Sequence, residues 1–318
     1  MASILIGLIL LLGQTVGIVD IREGEAMPPP FSSPGELLEA KSLSNTENPN
    51  SNSPGEFNSI YVDKTFFLSA IKQNPSEQGI NNVTGITVPH HLLVKNLTAE
   101  IFDAVSGNDY KTIIIISPDH FNGGKTKFST TPKDFKTVFG SLETDKKTVQ
   151  TILSEPLISN STLFSREHGI HSVTPFIKYH FPDAKIVPIT IRINSNKEEL
   201  DTLAKTLTEV INSDASIDKN STLILQSTDF SHYLTEEEAN KKDQQTTAVL
   251  LANIPDQILT LNQPDNIDST GSQYIQSKLQ KELFESTLQI IHTENSNQYT
   301  EEKVAETTSY ITQIYSKR

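Results

Sequence analysis

Three short runs of this sequence place imidazole and carboxylate groups directly after stretches rich in apolar and β-branched residues. Ile86-Thr87-Val88-Pro89 leads into His90 and His91, Ile113 to Ile116 leads into Ser117-Pro118-Asp119-His120, and Leu223 to Gln226 leads into Ser227-Thr228-Asp229-Phe230-Ser231-His232. A lone histidine is most often structural or exposed. Three polar groups placed alike after three such runs predict one shared site, because ligands of open α/β sheets bind beyond the carboxyl ends of the strands. The chain has no cysteine, which excludes thiolate ligands, iron–sulfur clusters, thiol nucleophiles and disulfides. Imidazole and carboxylate alone suit a non-haem iron, zinc or manganese centre, and two histidines with one carboxylate form the facial set that leaves positions open for substrate or oxygen.

To position such a site, the chain needs buried strands and covering helices. Ile86 to Val88, Thr112 to Ser117, Lys185 to Ile193 and Thr222 to Ser227 read as strands. Helical patterning falls at Ala99 to Ser106, Asp145 to Ser154, Ser172 to His180, Lys197 to Asn212 and Glu236 to Ala252. Uninterrupted apolar strands alternating with helices predict a three-layer α/β sandwich whose sheet is mixed and largely parallel. Thr308 to Tyr315 fits a last strand or a helix.

At 318 residues and net charge −13, the chain is too acidic to work mainly by gripping nucleic-acid phosphate. Residues 1–19 carry no charged side chain and would reach about 28 Å as a helix, nearly a bilayer core. Residues 1–22 are therefore expected to be a signal or membrane-anchor segment and the only membrane contact. Of the 36 residues from 23 to 58, 26 are Glu, Pro, Ser, Asn or Gly, too few apolar groups to repay ordering. They read as an acidic linker, with a folded domain over 59–318 lying outside the cytoplasmic membrane, anchored or secreted.

Taken together, Val88-Pro89-His90, Ile116-Ser117-Pro118-Asp119-His120, Phe139-Gly140 with Asp145, Arg166-Glu167-His168, Thr174-Pro175-Phe176, Ile186-Val187-Pro188 and Ser227-Thr228-Asp229-Phe230-Ser231-His232-Tyr233 resemble the Memo family, known in bacteria and archaea as AmmeMemoRadiSam system protein B. The resemblance covers about residues 84–291 and is expected to continue to the end of the chain. It implies a fold like that of the class III extradiol dioxygenases, a metal site, and an oxidative reaction with iron(II) as the first choice of metal and zinc or manganese as alternatives.

By position, His90 and His120 match metal ligands of that family, and Asp229 and His232 match residues lining the same pocket. Glu167 and His168 match its Glu-His-Ser motif, either as partners that orient the ligands or as an ion pair at a helix start. Here the motif reads Glu-His-Gly, with His171 where a second Glu is common. His91 stands where the family has a small residue and is either a replacement polar group or a solvent-facing neighbour. The family's third ligand is often a cysteine in a turn. Aligning Gly271 and a following helix, Tyr274 to Leu288, puts Asp268 at that position, or Ser269 if the turn slips by one. Asp268 is the expected third ligand, with helix capping as its bland alternative. His232 is the expected general acid or base, oriented by Asp229. A non-catalytic metal- or ligand-binding protein and a metal-dependent hydrolase are the competing readings; the substrate stays unnamed.

Overall fold

Four consecutive isoleucines, Ile113 to Ile116, show why the chain folds in three layers. Successive side chains of a strand point to opposite faces, so Ile113 and Ile115 join one apolar cluster while Ile114 and Ile116 join another. All four are fully buried.

The computed structural model describes residues 55–71, 79–213 and 217–317. In chain order the strands are β1 (Glu56–Phe57), β2 (Val83–Val88), β3 (Thr112–Pro118), β4 (Phe128–Thr130), β5 (Asp134–Thr137), β6 (Gly140–Leu142), β7 (Ile158–Asn160), β8 (Lys185–Ile191), β9 (Thr222–Ser227), β10 (His232–Leu234), β11 (Thr287–Asn295) and β12 (Thr307–Ser316). The helices are α1 (Lys64–Ile71), α2 (Lys95–Val105), α3 (Lys146–Ile152), α4 (His168–His171), α5 (Thr174–His180), α6 (Lys197–Ser213), α7 (Glu236–Ala252), α8 (Pro255–Ile258) and α9 (Thr270–Leu279), the last continued by a π-helical turn, Gln280–Phe284.

The main sheet runs β10-β12-β2-β9-β3-β8-β4-β7, with β11 also paired to β12. Its centre, β2-β9-β3-β8, is parallel; β12 on one side and β4 on the other join antiparallel. The sheet is thus mixed around a parallel centre, an α/β sandwich. One face packs on Phe67 of α1, Phe102 of α2 and Phe176 of α5. The opposite face packs on Val149 of α3, Leu200, Leu203 and Leu207 of α6 and Ile275 of α9. A small sheet, β1-β5-β6, lies apart.

Two boundaries differ from the sequence reading. Glu56 and Phe57, inside the stretch assigned to the linker, pair with Asp134 and Phe135, because Phe57 finds a partner ring in Phe135 at 5.4 Å. The helix expected from Tyr274 to Leu288 starts earlier and stops at the π-helical turn, where Glu285 takes a left-handed conformation (φ 56°) and Leu288 enters β11. Residues 308–315 resolve as strand. The segment 1–22 and residues 23–54 of the linker lie outside the described residues. Among the described residues no helix is long and apolar enough to cross a membrane.

Candidate functional site

The parallel strands deliver their polar residues to one end of the sheet. After β2, Pro89 turns the chain and the backbone N–H of His90 donates to Asp229 Oδ1 at 3.2 Å, tying the exit of β2 to that of its neighbour β9. After β3, Asp119 donates its N–H to the Ile191 carbonyl of β8 and its carboxylate accepts from Gly123 and Gly124 N–H at 2.9 and 2.8 Å. That closed loop fixes His120.

His90, His120 and His168 converge. Each offers one ring nitrogen within 4.8 Å of the others, a group able to hold a metal ion. The His90 and His120 Nε2 atoms stand 3.2 Å apart with their rings perpendicular, and the His120 and His168 ring centroids are 4.0 Å apart. Asp268 Oδ2 approaches His120 Nε2 at 3.1 Å and His90 Nε2 at 3.5 Å. Asp229 Oδ2 lies 3.6 Å from His90 Nε2.

Behind this group sits Glu167, fully buried. Its Oε1 accepts from His120 Nδ1 at 2.5 Å and its Oε2 from the His120 backbone N–H at 3.2 Å. It also caps α4 by accepting from Gly169 N–H at 3.1 Å. A carboxylate on Nδ1 keeps a proton there and leaves Nε2 as the atom facing the cluster, the arrangement that orients metal-binding histidines. Helix α4 can come this close only because residue 169 is glycine. A Cβ there would stand 2.1 Å from Ser117 Oγ and 3.0 Å from His120 Cε1.

The electrostatics divide the rings. Burial pushes His90 and His168 well below the usual imidazole range, assisted in both by the charge of His120. Burial opposes charge on His120 too, but Glu167 and Asp268 outweigh it and raise His120 well above that range. Burial would raise Asp268, yet His120 reverses the effect and holds it well below ordinary carboxylates. Asp229 goes the other way, pushed up by burial and then by Asp268. These residues fit a divalent cation: two imidazoles held neutral, an ionised carboxylate, and the Nε2 atoms of His90 and His120 aimed at each other and at Asp268 Oδ2.

Several sequence assignments shift. Ser269, not Asp268, caps α9, its Oγ accepting from Ser272 N–H at 3.0 Å; the Asp268 carboxylate faces the histidines. His168 is a third ring of the cluster rather than an outlying partner, and Glu167 serves His120, being 3.8 Å from His168 Nδ1. Asp229 engages His90, while His232 Nδ1 bonds the Phe230 carbonyl at 2.5 Å. His91 is not solvent-facing: its Nδ1 meets Tyr310 Oη at 2.7 Å, and burial lowers it to about 4. The Glu167–His120 and His91–Tyr310 pairs span 47 and 219 residues, and no local pattern announces them.

The fold and site define an α/β sandwich with a three-histidine group able to hold a metal ion at the ends of its parallel strands. The Memo-like protein family model matches residues 63–314, and the chain belongs to that family. It is similar to proteins named MEMO1 family protein from Aquifex aeolicus (29% identical over 174 residues, 53% of this chain and 44% of that protein) and Caldivirga maquilingensis (29% over 166 residues, 51% and 57%). A relative from Methanococcus maripaludis strain C5 is 30% identical over 217 residues, 63% of this chain and 72% of that protein. The chain thus spans about half the length of the first two relatives. The family match starts before residue 84 and runs on past residue 291, as expected.

Proposed function

We propose that this protein holds one divalent cation at the strand exits, iron(II) in the first instance, and uses it for an oxidative reaction on a small molecule. The observation that supports this most is the Glu167–His120–His90 geometry: a carboxylate fixes one imidazole tautomer, and that ring's Nε2 faces a second Nε2 and the Asp268 carboxylate. Nitrogen and oxygen donors without sulfur favour iron, manganese or zinc over softer ions. The ion supplies Lewis-acid and redox chemistry when bound. His90, His120 and His168 hold it, with Asp268 as the anionic ligand. Asp229, whose carboxyl is pushed up by burial and by Asp268, accepts from the His90 backbone N–H and lines the centre beside that ring. His232, anchored at Nδ1 by Phe230, keeps Nε2 for proton transfer.

Oxygen uptake by the iron-loaded full chain, screened against small phenols and hydroxy acids, tests the reaction. Uptake that depends on substrate and vanishes in His120→Ala supports it. Metal binding with no turnover, and none with chromogenic esters, assigns the protein to metal or ligand binding instead. We propose further that the domain works outside the cytoplasmic membrane, from the charge-free residues 1–19 and the acidic stretch after them. A reporter active only after export, fused after Asn58, is expected to be active; activity of a cytoplasmic reporter alone contradicts this.

A further inference from the structure

The central parallel strands end side by side in the order β2, β9, β3, β8. Three exits carry the groups described above. The fourth, β8, ends at Ile191 and delivers Arg192. Its Nε donates to Asn122 Oδ1 at 2.6 Å and its Nη1 approaches the Gly124 carbonyl at 3.5 Å, which ties it to the loop that begins at His120. Arg166, adjacent to Glu167, lies over the Phe121 ring at 4.4 Å. Phe121 meets the His168 ring edge-on at 6.2 Å.

Arginine is scarce in this chain. Only four of its 26 basic residues are Arg, at 22, 166, 192 and 318, and the two among the described residues both touch the loop His120–Gly124. In a protein of net charge −13, lysines such as Lys111, Lys146, Lys197 and Lys241 find carboxylates. Neither Arg166 nor Arg192 pairs with one among the described residues. From His120 to Pro132 the chain carries Lys125 and Lys127 and no acid, although Lys127 pairs with Glu199 at 3.2 Å and the Asp119 carboxylate closes the loop on Gly123 and Gly124. A guanidinium without an internal counter-ion is free to meet an external one, and its planar fork suits carboxylate or phosphate.

We propose that the site takes a small organic anion, its carboxylate or phosphate held by Arg192 and Arg166 and its body lying against Phe121. This rests on reading the strand exits as a metal centre and names the substrate class for it. Benzoate and phenyl phosphate are the probes, with benzyl alcohol as the neutral counterpart, titrated into the full chain by ligand-observed NMR in zinc-loaded and chelator-treated forms. At least one anion should bind about tenfold tighter than benzyl alcohol, and the tighter of the two identifies the group preferred. Arg192→Gln and Arg166→Gln should each remove most of that preference and their combination all of it, while zinc affinity stays at the wild-type value. Added salt should weaken the anion and leave benzyl alcohol unchanged. Equal binding of anion and alcohol, or wild-type preference in the double variant, overturns the proposal. Zinc binding without charge preference refutes the anion site alone. An arginine-dependent preference in a protein that takes up no metal refutes the metal reading alone.

Discussion

His168 and His171 stand at the two ends of the four-residue helix α4, yet they occupy opposite environments. His168 faces the His120 and His90 rings, in a pocket with Glu167 and Asp268. His171 is fully buried against Phe135, its ring centroid 5.5 Å away, and its Nε2–H donates to the Phe164 carbonyl at 2.8 Å. Burial lowers both. What separates them is the company: beside His168 are other lone pairs and carboxylates, whereas beside His171 are hydrocarbon and one carbonyl. Desolvation alone makes a neutral histidine. A ligand also requires other donors aimed at the same point.

The comparison breaks most sharply by exchanging losses. His90→Ala should lower metal affinity by a hundredfold or more and leave the far-UV circular dichroism of the protein unchanged, because a strand-exit side chain is not core packing. His171→Leu should retain metal, measured by calorimetric titration, and lose stability in urea unfolding through the lost Phe164 bond. If His171→Leu strips the metal while His90→Ala retains it, the two regions have been confused.

Glu167→Gln comes next. It keeps the shape of the side chain but weakens the charge-assisted bond that sets the His120 tautomer, and such partners are typically worth about 10–100-fold in metal affinity. Asp268→Ala should weaken binding by about tenfold or more, whereas Asp268→Cys should keep a site and shift its preference from iron or manganese toward zinc. Competition between the metals reads out both. Unchanged affinity in Asp268→Ala would leave the three imidazoles as the whole ligand set.

The effect of pH falls on stability rather than on metal affinity. The His171 imidazole is lowered from 6.5 to about 4 by burial, so folding favours its neutral form. The stability this contributes is fully present above the unfolded value and lost as pH falls from about 6.5 toward 4, up to about 3 kcal/mol. Metal-free wild-type protein should therefore lose stability more steeply between pH 7 and 4.5 than metal-free His171→Leu. Parallel curves would mean that His171 is already charged in the fold.

How far the sequence reaches follows from the same contrast. The central strands were legible because runs such as Ile113 to Ile116 are long, apolar and β-branched, and such strands are buried on both faces. Glu236–Ala252 was legible as a helix, opened by the Thr235 and Glu238 capping box. The end of α9 was not, because the sequence around Leu283 and Phe284 keeps helical spacing and only the left-handed Glu285 ends it. Within the site, the strand exits could be read from local order. That Glu167 reaches His120 and that His168 joins the ring cluster depend on how α4 packs on Ser117, a contact made by the absence of a side chain at Gly169. His91 was hidden for a similar reason: its partner, Tyr310, comes from β12, which borders β2 in the sheet.

Anomalous diffraction from crystals of the full chain grown with zinc or manganese locates the ion. One peak is predicted at the ends of β2 and β3, about 2.0–2.2 Å from ring nitrogens of His90, His120 and His168, with the Asp268 carboxylate turned toward it. A peak elsewhere, or none at the strand exits under saturating metal, would rule out this metal centre.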